Sequence, residues 1–183
     1  MVRTLVERAR EGDQEAFGEL ARGAIDRLYR VAYRILRDPD LARDATQQAL
    51  LEAWRGLSGL RDPDRWEAWT YRLLVRACYR EGRRQGQVGA VRLISIDGNV
   101  IDDPAEALAD RDDLERAFRR LPTDQRAVVV LHHYLGIPLK EIAETLGIPA
   151  GTARSRLHNA TRRLRAELEA DAFDPVSRKG HAV

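Results

Sequence analysis

Residues 138–165, PLKEIAETLGIPAGTARSRLHNATRRLR, decide how this chain reads. Leu139, Ile142, Ala143 and Leu146 recur at i, i+3, i+4 and i+7, the spacing that lays one apolar stripe along a helix. Gly147 then offers a C-terminal stop, and Pro149 prevents the first helix from running on. After the turn, Ala153, Leu157, Ala160 and Leu164 line a second inner face. That leaves Thr152, Arg154, Ser155, His158 and Arg162 pointing outward. No acid occurs between Glu144 and Glu167. A solvated helix ordinarily mixes both signs of charge, whereas guanidinium forks and hydroxyls alone suit phosphates and base edges. Helix, tight turn and arginine-rich second helix make the layout of a helix-turn-helix nucleic-acid reader.

Working outward, the 183 residues hold one or two small domains. The net charge of +2 hides a division along the chain. Residues 1–86 carry 17 arginines against 14 acids, residues 87–113 carry two against seven, and residues 114–183 carry 12 Lys and Arg against eight acids. Two basic modules are therefore joined by an acidic segment. We expect an all-α fold of two small helical domains, 1–86 and 114–170, with an acidic linker at 87–113 and a frayed tail at 171–183. The C-terminal domain contains the helix-turn-helix.

In the first module, Asp13 can cap a helix in which Phe17, Leu20, Ala24, Leu28, Val31 and Ile35 keep helical spacing, up to a turn at Asp38-Pro39-Asp40. LARDATQQALLEAWRGL, residues 41–57, follows with Leu41, Ala45, Ala49 and Ala53 on one side, small enough for close packing. Gly56 to Asp64 reads as a loop, and RWEAWTYRLLVRACYREGRR, residues 65–84, as a long helix. From residue 85 to 113 the helical pattern lapses, with a short extended piece at Arg92 to Ile96. The second module starts with Leu114, Ala117, Phe118 and Leu121 on a helix stopped by Pro122. A further helix ends at Gly136.

The long helix carries a second basic surface. Arg72, Arg76, Arg80 and Arg84 follow one another at i+4, beside Trp66, Trp69 and Tyr71. Arginines that track a backbone and rings that stack on unpaired bases are what a single nucleic-acid strand requires. Tryptophan is also highly buried whatever its role, so Trp66 and Trp69 read equally well as core.

Other chemistry finds little support. His132 and His133 are adjacent on a helix and point about 100° apart, poor geometry for one metal ion. Cys78, the single cysteine, sits beside Ala77 with no histidine near it, as a packed residue would. There is no glycine-rich phosphate loop, paired-carboxylate motif or nucleophile elbow, so we expect no enzyme, cofactor or metal. One cysteine excludes an internal disulfide and fits a reducing compartment. The N-terminus lacks an apolar signal region, and no run approaches a membrane span. The expectation is a soluble cytoplasmic protein.

From about Glu15 to Leu168 the chain resembles the small bacterial RNA polymerase sigma factors of the extracytoplasmic-function (ECF) group. DATQQALLEAWR, residues 44–55, is similar to the helix with which these factors grip the clamp-helix coiled coil of the polymerase. Residues 65–84 are similar to the segment that melts and reads the downstream (minus ten) promoter element. Residues 121–165 are similar to the domain that reads the upstream (minus thirty-five) element and sits on the polymerase flap. The sequence departs from the usual pattern at Gln48, where an acid is common after Gln47, at Arg76, where an asparagine is usual, and at Pro138 and Pro149, where Ser or Thr caps are frequent.

The resemblance implies a promoter-specificity subunit without catalysis of its own, whose partners are core RNA polymerase, promoter DNA and an anti-sigma protein, with no membrane insertion. It assigns Asp44, Gln47, Gln48, Leu51 and Trp54 to core polymerase. At the upstream element Arg154, Ser155, Arg156 and His158 would enter the major groove while Thr152 and Arg162 hold phosphates. At the downstream element Trp66, Trp69 and Tyr71 would hold bases out of the stack, with Arg72, Arg76 and Arg80 on the backbone. The acidic linker would thread the polymerase channels, although its composition equally suits a solvated spacer. The competing expectation is a stand-alone helix-turn-helix regulator that never meets polymerase, although no dimer helix for a palindromic site is evident.

Overall fold

The computed structural model describes residues 1–87 and 106–173, with side chains described for 1–84 and 113–170. The extended piece expected at Arg92 to Ile96 and the tail beyond residue 173 lie outside the described residues. All regular structure among the described residues is helical: α1 Val2–Arg10, α2 Gln14–Leu36, α3 Pro39–Gly56, α4 Trp66–Gln87, α5 Glu106–Arg120, α6 Thr123–Val129, α7 Leu139–Leu146 and α8 Ala150–Phe173.

Capping chemistry sets the boundaries. Asp13 accepts a hydrogen bond from the Ala16 N–H at 3.0 Å and opens α2. Arg8 on α1 donates to the same carboxylate at 2.7 Å. These bonds, the Ala16 N–H foremost, hold the Asp13 carboxyl below its usual range. α2 ends on Arg37, which adopts the left-handed conformation at φ 57°. Two residues later α3 has Pro39 in its first turn, behind Asp38. The Asp38 carboxylate accepts from the Asp40 and Leu41 N–H groups, each at 2.9 Å. Asp38→Ala should therefore lower stability by about 1 kcal/mol, measured as a shift in urea midpoint without a change in slope. A change of slope instead would mean that the compactness of a state had altered.

Helices α2, α3 and α4 form the heart of the first module. Ala42, Ala45, Ala49 and Ala53 of α3 are buried, so their small side chains let the helix lie close against both neighbours. Leu28, Val31 and Ile35 of α2 and Leu74, Val75 and Cys78 of α4 fill the space between. The segment expected as a loop at 56–64 is better anchored than that. It contains two 3-10 turns, Leu57–Gly59 and Pro63–Arg65, and buries Leu57, Leu60 and Pro63. Phe17, placed with the core by its spacing, is only half-buried.

Three elements differ from expectation. α1 was not anticipated, yet it packs along α2 and buries Val6 and Ala9. α5 begins at Glu106 inside the expected linker, whose acids suit the positive end of a helix dipole. Leu114, assigned to its apolar stripe, is exposed, while Ala117 and Leu121 are buried. α6 passes into a π-helical turn at Val130–Tyr134, and the His132 ring nitrogen Nδ1 sits 2.9 Å from the Ile137 carbonyl oxygen. As expected, α7 stops at Gly147 in the left-handed conformation, φ 67°, the backbone setting that a glycine accepts without strain. The Ile148 N–H closes that end on the Ala143 carbonyl at 3.0 Å.

Candidate nucleic-acid and protein interfaces

The outer face of α8 is the first surface. Ala153 and Ala160 are fully buried against α6 and α7, and Leu157 and Leu164 are half-buried, which fixes the rotation of the helix. Arg154, Ser155, His158 and Arg162 are then exposed as one polar stripe. The Ser155 hydroxyl donates to the Thr152 carbonyl at 3.0 Å. Arg165, which the sequence reading passed over, continues the stripe and is also exposed; its i+3 spacing from Arg162 and i+7 spacing from His158 was the available signal. Arg156 departs from its expected place. It turns inward, with Nε 3.0 Å from the Asp124 carboxylate and a long 3.5 Å approach of a terminal nitrogen to the Tyr79 hydroxyl. Burial pushes the Tyr79 phenol up to about 12, so that hydroxyl is neutral.

The second surface lies on α4, where the aromatic side chains divide between core and surface. Trp66 and Tyr71 are buried in the core, out of reach of any base in this conformation. Burial pushes the Tyr71 phenol up to about 12, and the Arg27 guanidinium lies over its ring at 5.3 Å. Their size made them core fillers, since a buried aromatic contributes more apolar area than any neighbour. Trp69 is half-buried and lies over Gly56, where a Cβ would sit 3.5 Å from its ring. Of the arginines, Arg76 is exposed. Arg80 is paired with Glu52 of α3 at 2.5 Å, and Arg72 is half-buried with its Nε out of contact with any protein acceptor.

The third surface is apolar. Gln47, Leu51 and Trp54 follow one another along one face of α3, and Phe17, Ile25 and Tyr29 of α2 face them across a groove of about 570 Å³. Leu51 is 42 % exposed, Trp54 39 % and Ile25 45 %. The Phe17 ring meets Trp54 edge-on at 4.8 Å and Trp66 at 6.2 Å, so the groove wall is tied to the core. Asp44 is exposed outside the groove. Gln48 points away, donating to Glu52 at 3.2 Å on the side of α4. Ile25 and Tyr29 were missed because only tertiary packing brings α2 beside α3.

No group of His, Cys, Asp or Glu among the described residues is arranged to hold a metal ion. Cys78 is fully buried and burial pushes its thiol up to about 12, the state of a packed residue rather than a nucleophile. No described helix is long and apolar enough to cross a membrane.

A helix-turn-helix with an acid-free outer face, together with an apolar groove on a separate module, defines a DNA-reading protein that also docks on another protein. Sigma-70 region 2 matches residues 20–88 and Sigma-70, region 4 matches residues 111–164. The RNA polymerase sigma-E factor of Streptomyces avermitilis is 34 % identical over 163 residues, 89 % of this chain and 90 % of that one. The ECF RNA polymerase sigma factor SigE of Mycolicibacterium smegmatis is 34 % identical over 166 residues; these are 86 % of this chain but 64 % of that longer protein. The solved structure of CnrH in complex with the cytosolic domain of CnrY superposes with a TM-score of 0.65 at 25 % identity, over 93 % of this chain and 98 % of that one. The chain belongs to the ECF group of RNA polymerase sigma factors. It is a transcription initiation factor and not a stand-alone regulator.

Proposed function

We propose that this sigma factor grips core RNA polymerase through the α2–α3 groove and reads the upstream promoter element with the outer face of α8. The observation that carries this reading is the presence of an exposed apolar groove between α2 and α3 and an exposed acid-free stripe on α8, two surfaces of opposite chemistry. Leu51 and Trp54, supported by Ile25 and Phe17, are the anchors for a helical partner. Arg154, Ser155 and His158 address base edges, and Thr152, Arg162 and Arg165 address phosphates. At the downstream element Arg76, Arg80 and Trp69 face the strand. Trp66 and Tyr71 act there as the seat of α4 and not as stacking rings. Two weak DNA contacts on one tether raise each other's effective concentration, so neither module has to bind tightly alone.

An anti-sigma protein is the natural competitor for the same apolar groove; CnrH itself was solved in complex with the cytosolic domain of CnrY. A cytoplasmic location follows from work done on polymerase and DNA. Two measurements test the reading. Transcription from a randomised promoter library with core polymerase, with and without this protein, should give RNA starts preceded by two spaced motifs. Arg154→Ala should then weaken upstream binding about tenfold and relax preference at one position of that motif. A footprint unchanged in strength and sequence would remove Arg154 from the reader.

A further inference from the structure

The arginines along α4 do not all carry a free charge, and one of them is neutralised from another helix. Arg80 is exposed, yet its terminal nitrogen Nη2 stands 2.5 Å from Oε1 of Glu52 on α3. Gln48, one turn earlier on α3, donates its side-chain N–H to the same oxygen at 3.2 Å. The Glu52 side chain is 26 % exposed, against 47 % for Arg80, so the carboxylate is drawn onto the flank of α4 while about half of the arginine stays in solvent. Elsewhere in the stripe Arg84 pairs with Glu81 of its own helix. Arg76, one turn before Arg80, is exposed and forms no ion pair among the described side chains.

An ion pair between two mobile surface side chains contributes little, because both have to be ordered and salt screens their attraction. This pair is better braced. Ala49 and Ala53, on either side of Glu52 in sequence, are buried, and α3 packs closely on α4. Trp69 of α4 also lies over Gly56 of α3, which fixes the same pair of helices one turn beyond Glu52. The second donor, Gln48, holds the carboxylate in place from its own helix. We propose that Glu52 is a positioning residue of the downstream-strand surface: it holds and neutralises Arg80, so that a melted strand meets Arg76 and Trp69 directly and gains Arg80 only by displacing the carboxylate. The inference rests on the reading of α4 as that surface. Phosphate contacts hold every sequence alike. An acid that withholds one of them leaves a larger share of the binding to contacts with bases.

The test is binding of the holoenzyme to a fork template, duplex across the upstream element and single-stranded across the downstream one, cut from a promoter recovered from the randomised library. Glu52→Gln keeps the size of the side chain and an acceptor for Gln48 but removes the charge. It should tighten binding about threefold at low salt, and that gain should shrink about two- to threefold when salt is raised about fourfold, as one further phosphate contact on a single strand requires. A template with its downstream bases scrambled should gain by the same factor. Arg80→Gln added to Glu52→Gln should abolish the extra salt dependence, because the freed guanidinium is its source. A native salt dependence in Glu52→Gln, or an excess that survives in the double variant, would overturn the masking of Arg80. A gain confined to one downstream sequence would show that Glu52 reads a base instead. Arg76→Ala separates these outcomes from failure of the reading beneath them: it should weaken the fork complex with and without Glu52→Gln. If it weakens neither, α4 is not the strand surface, and the role of Glu52 falls with it.

Discussion

Leu51→Asp combined with Trp54→Ala is expected to lower promoter-dependent transcription at limiting protein by at least about a hundredfold while leaving the fold intact. The two side chains are among the few large apolar groups exposed among the described residues, 42 % and 39 %, and they stand along one face of α3. Truncating a buried aromatic anchor in a protein interface commonly costs about 2 kcal/mol or more. Placing a carboxylate in a desolvated apolar groove adds a similar penalty, and each 1.4 kcal/mol is about tenfold in affinity. The free protein should tolerate both changes, because neither side chain fills the core and exposed substitutions have small effects on stability. The check is titration of core polymerase with the variant, read as RNA starts, beside its urea unfolding curve. Undiminished transcription would move the polymerase contact off the groove. Recovery of activity at high protein concentration would locate the defect in binding.

The helices were legible where apolar spacing and a cap agreed. Asp13, Asp38 and Gly147 mark ends at which a side-chain acceptor or a left-handed residue is chemically required. α1 escaped notice although Val2, Leu5, Val6 and Ala9 keep helical spacing. A nine-residue helix is marginal alone and is stabilised by the neighbour it packs on, here α2. The start of α5 was hidden by acids that read as linker but also suit a helix N-terminus. At the sites, Arg154 and His158 could be placed outward because Ala153, Leu157 and Ala160 define the opposite face. Arg156, three residues after Ala153 and four before Ala160, lies at the edge of that buried face, and its final direction is set by Asp124 and Tyr79, a carboxylate on α6 and a phenol on α4. No local rule in a sequence contains those partners. The ambiguity of Trp66 is of another kind: a ring rich in apolar area serves a core and a base stack equally, and only its burial distinguishes them.

Electrostatics and packing divide the work between the modules. Among the described side chains, the acids near α4 are largely spent on arginines: Glu52 on Arg80, Glu81 on Arg84 and Glu67 on Arg27. Arg72 and Arg76 form no ion pair among the described side chains, and of the two only Arg76 is exposed, so it would dominate the salt dependence of strand binding, about one counterion per phosphate contact. On α8 the nearest ion pairs involve Arg156 and, at its far end, Glu167 with Arg120. The exposed stripe between them keeps its full charge.

Leu28→Ala is expected to carry the largest cost in stability, about 2–5 kcal/mol. Leu28 is wholly buried on α2, among the largest side chains with no exposure, and α3 and α4 both pack on that helix. Removing its branched end deletes apolar contacts and leaves a cavity in a close-packed core, and the buried face of α3, lined by Ala42, Ala45, Ala49 and Ala53, has no long side chain to extend into the space. Ile25 and Tyr29 flank this position in sequence and form one wall of the polymerase groove. Loss of the anchor should thus loosen that wall as well as the core, and holoenzyme formation should fall at temperatures where most of the protein is still folded. Thermal unfolding followed by circular dichroism, with core polymerase titrations at two temperatures below the midpoint, separates the effects. A lower midpoint with undiminished polymerase affinity at both temperatures would show that the groove is held by α3 alone. A loss of stability below about 1 kcal/mol would show that the core closes around the smaller side chain, and that α2 is more loosely seated than its burial indicates.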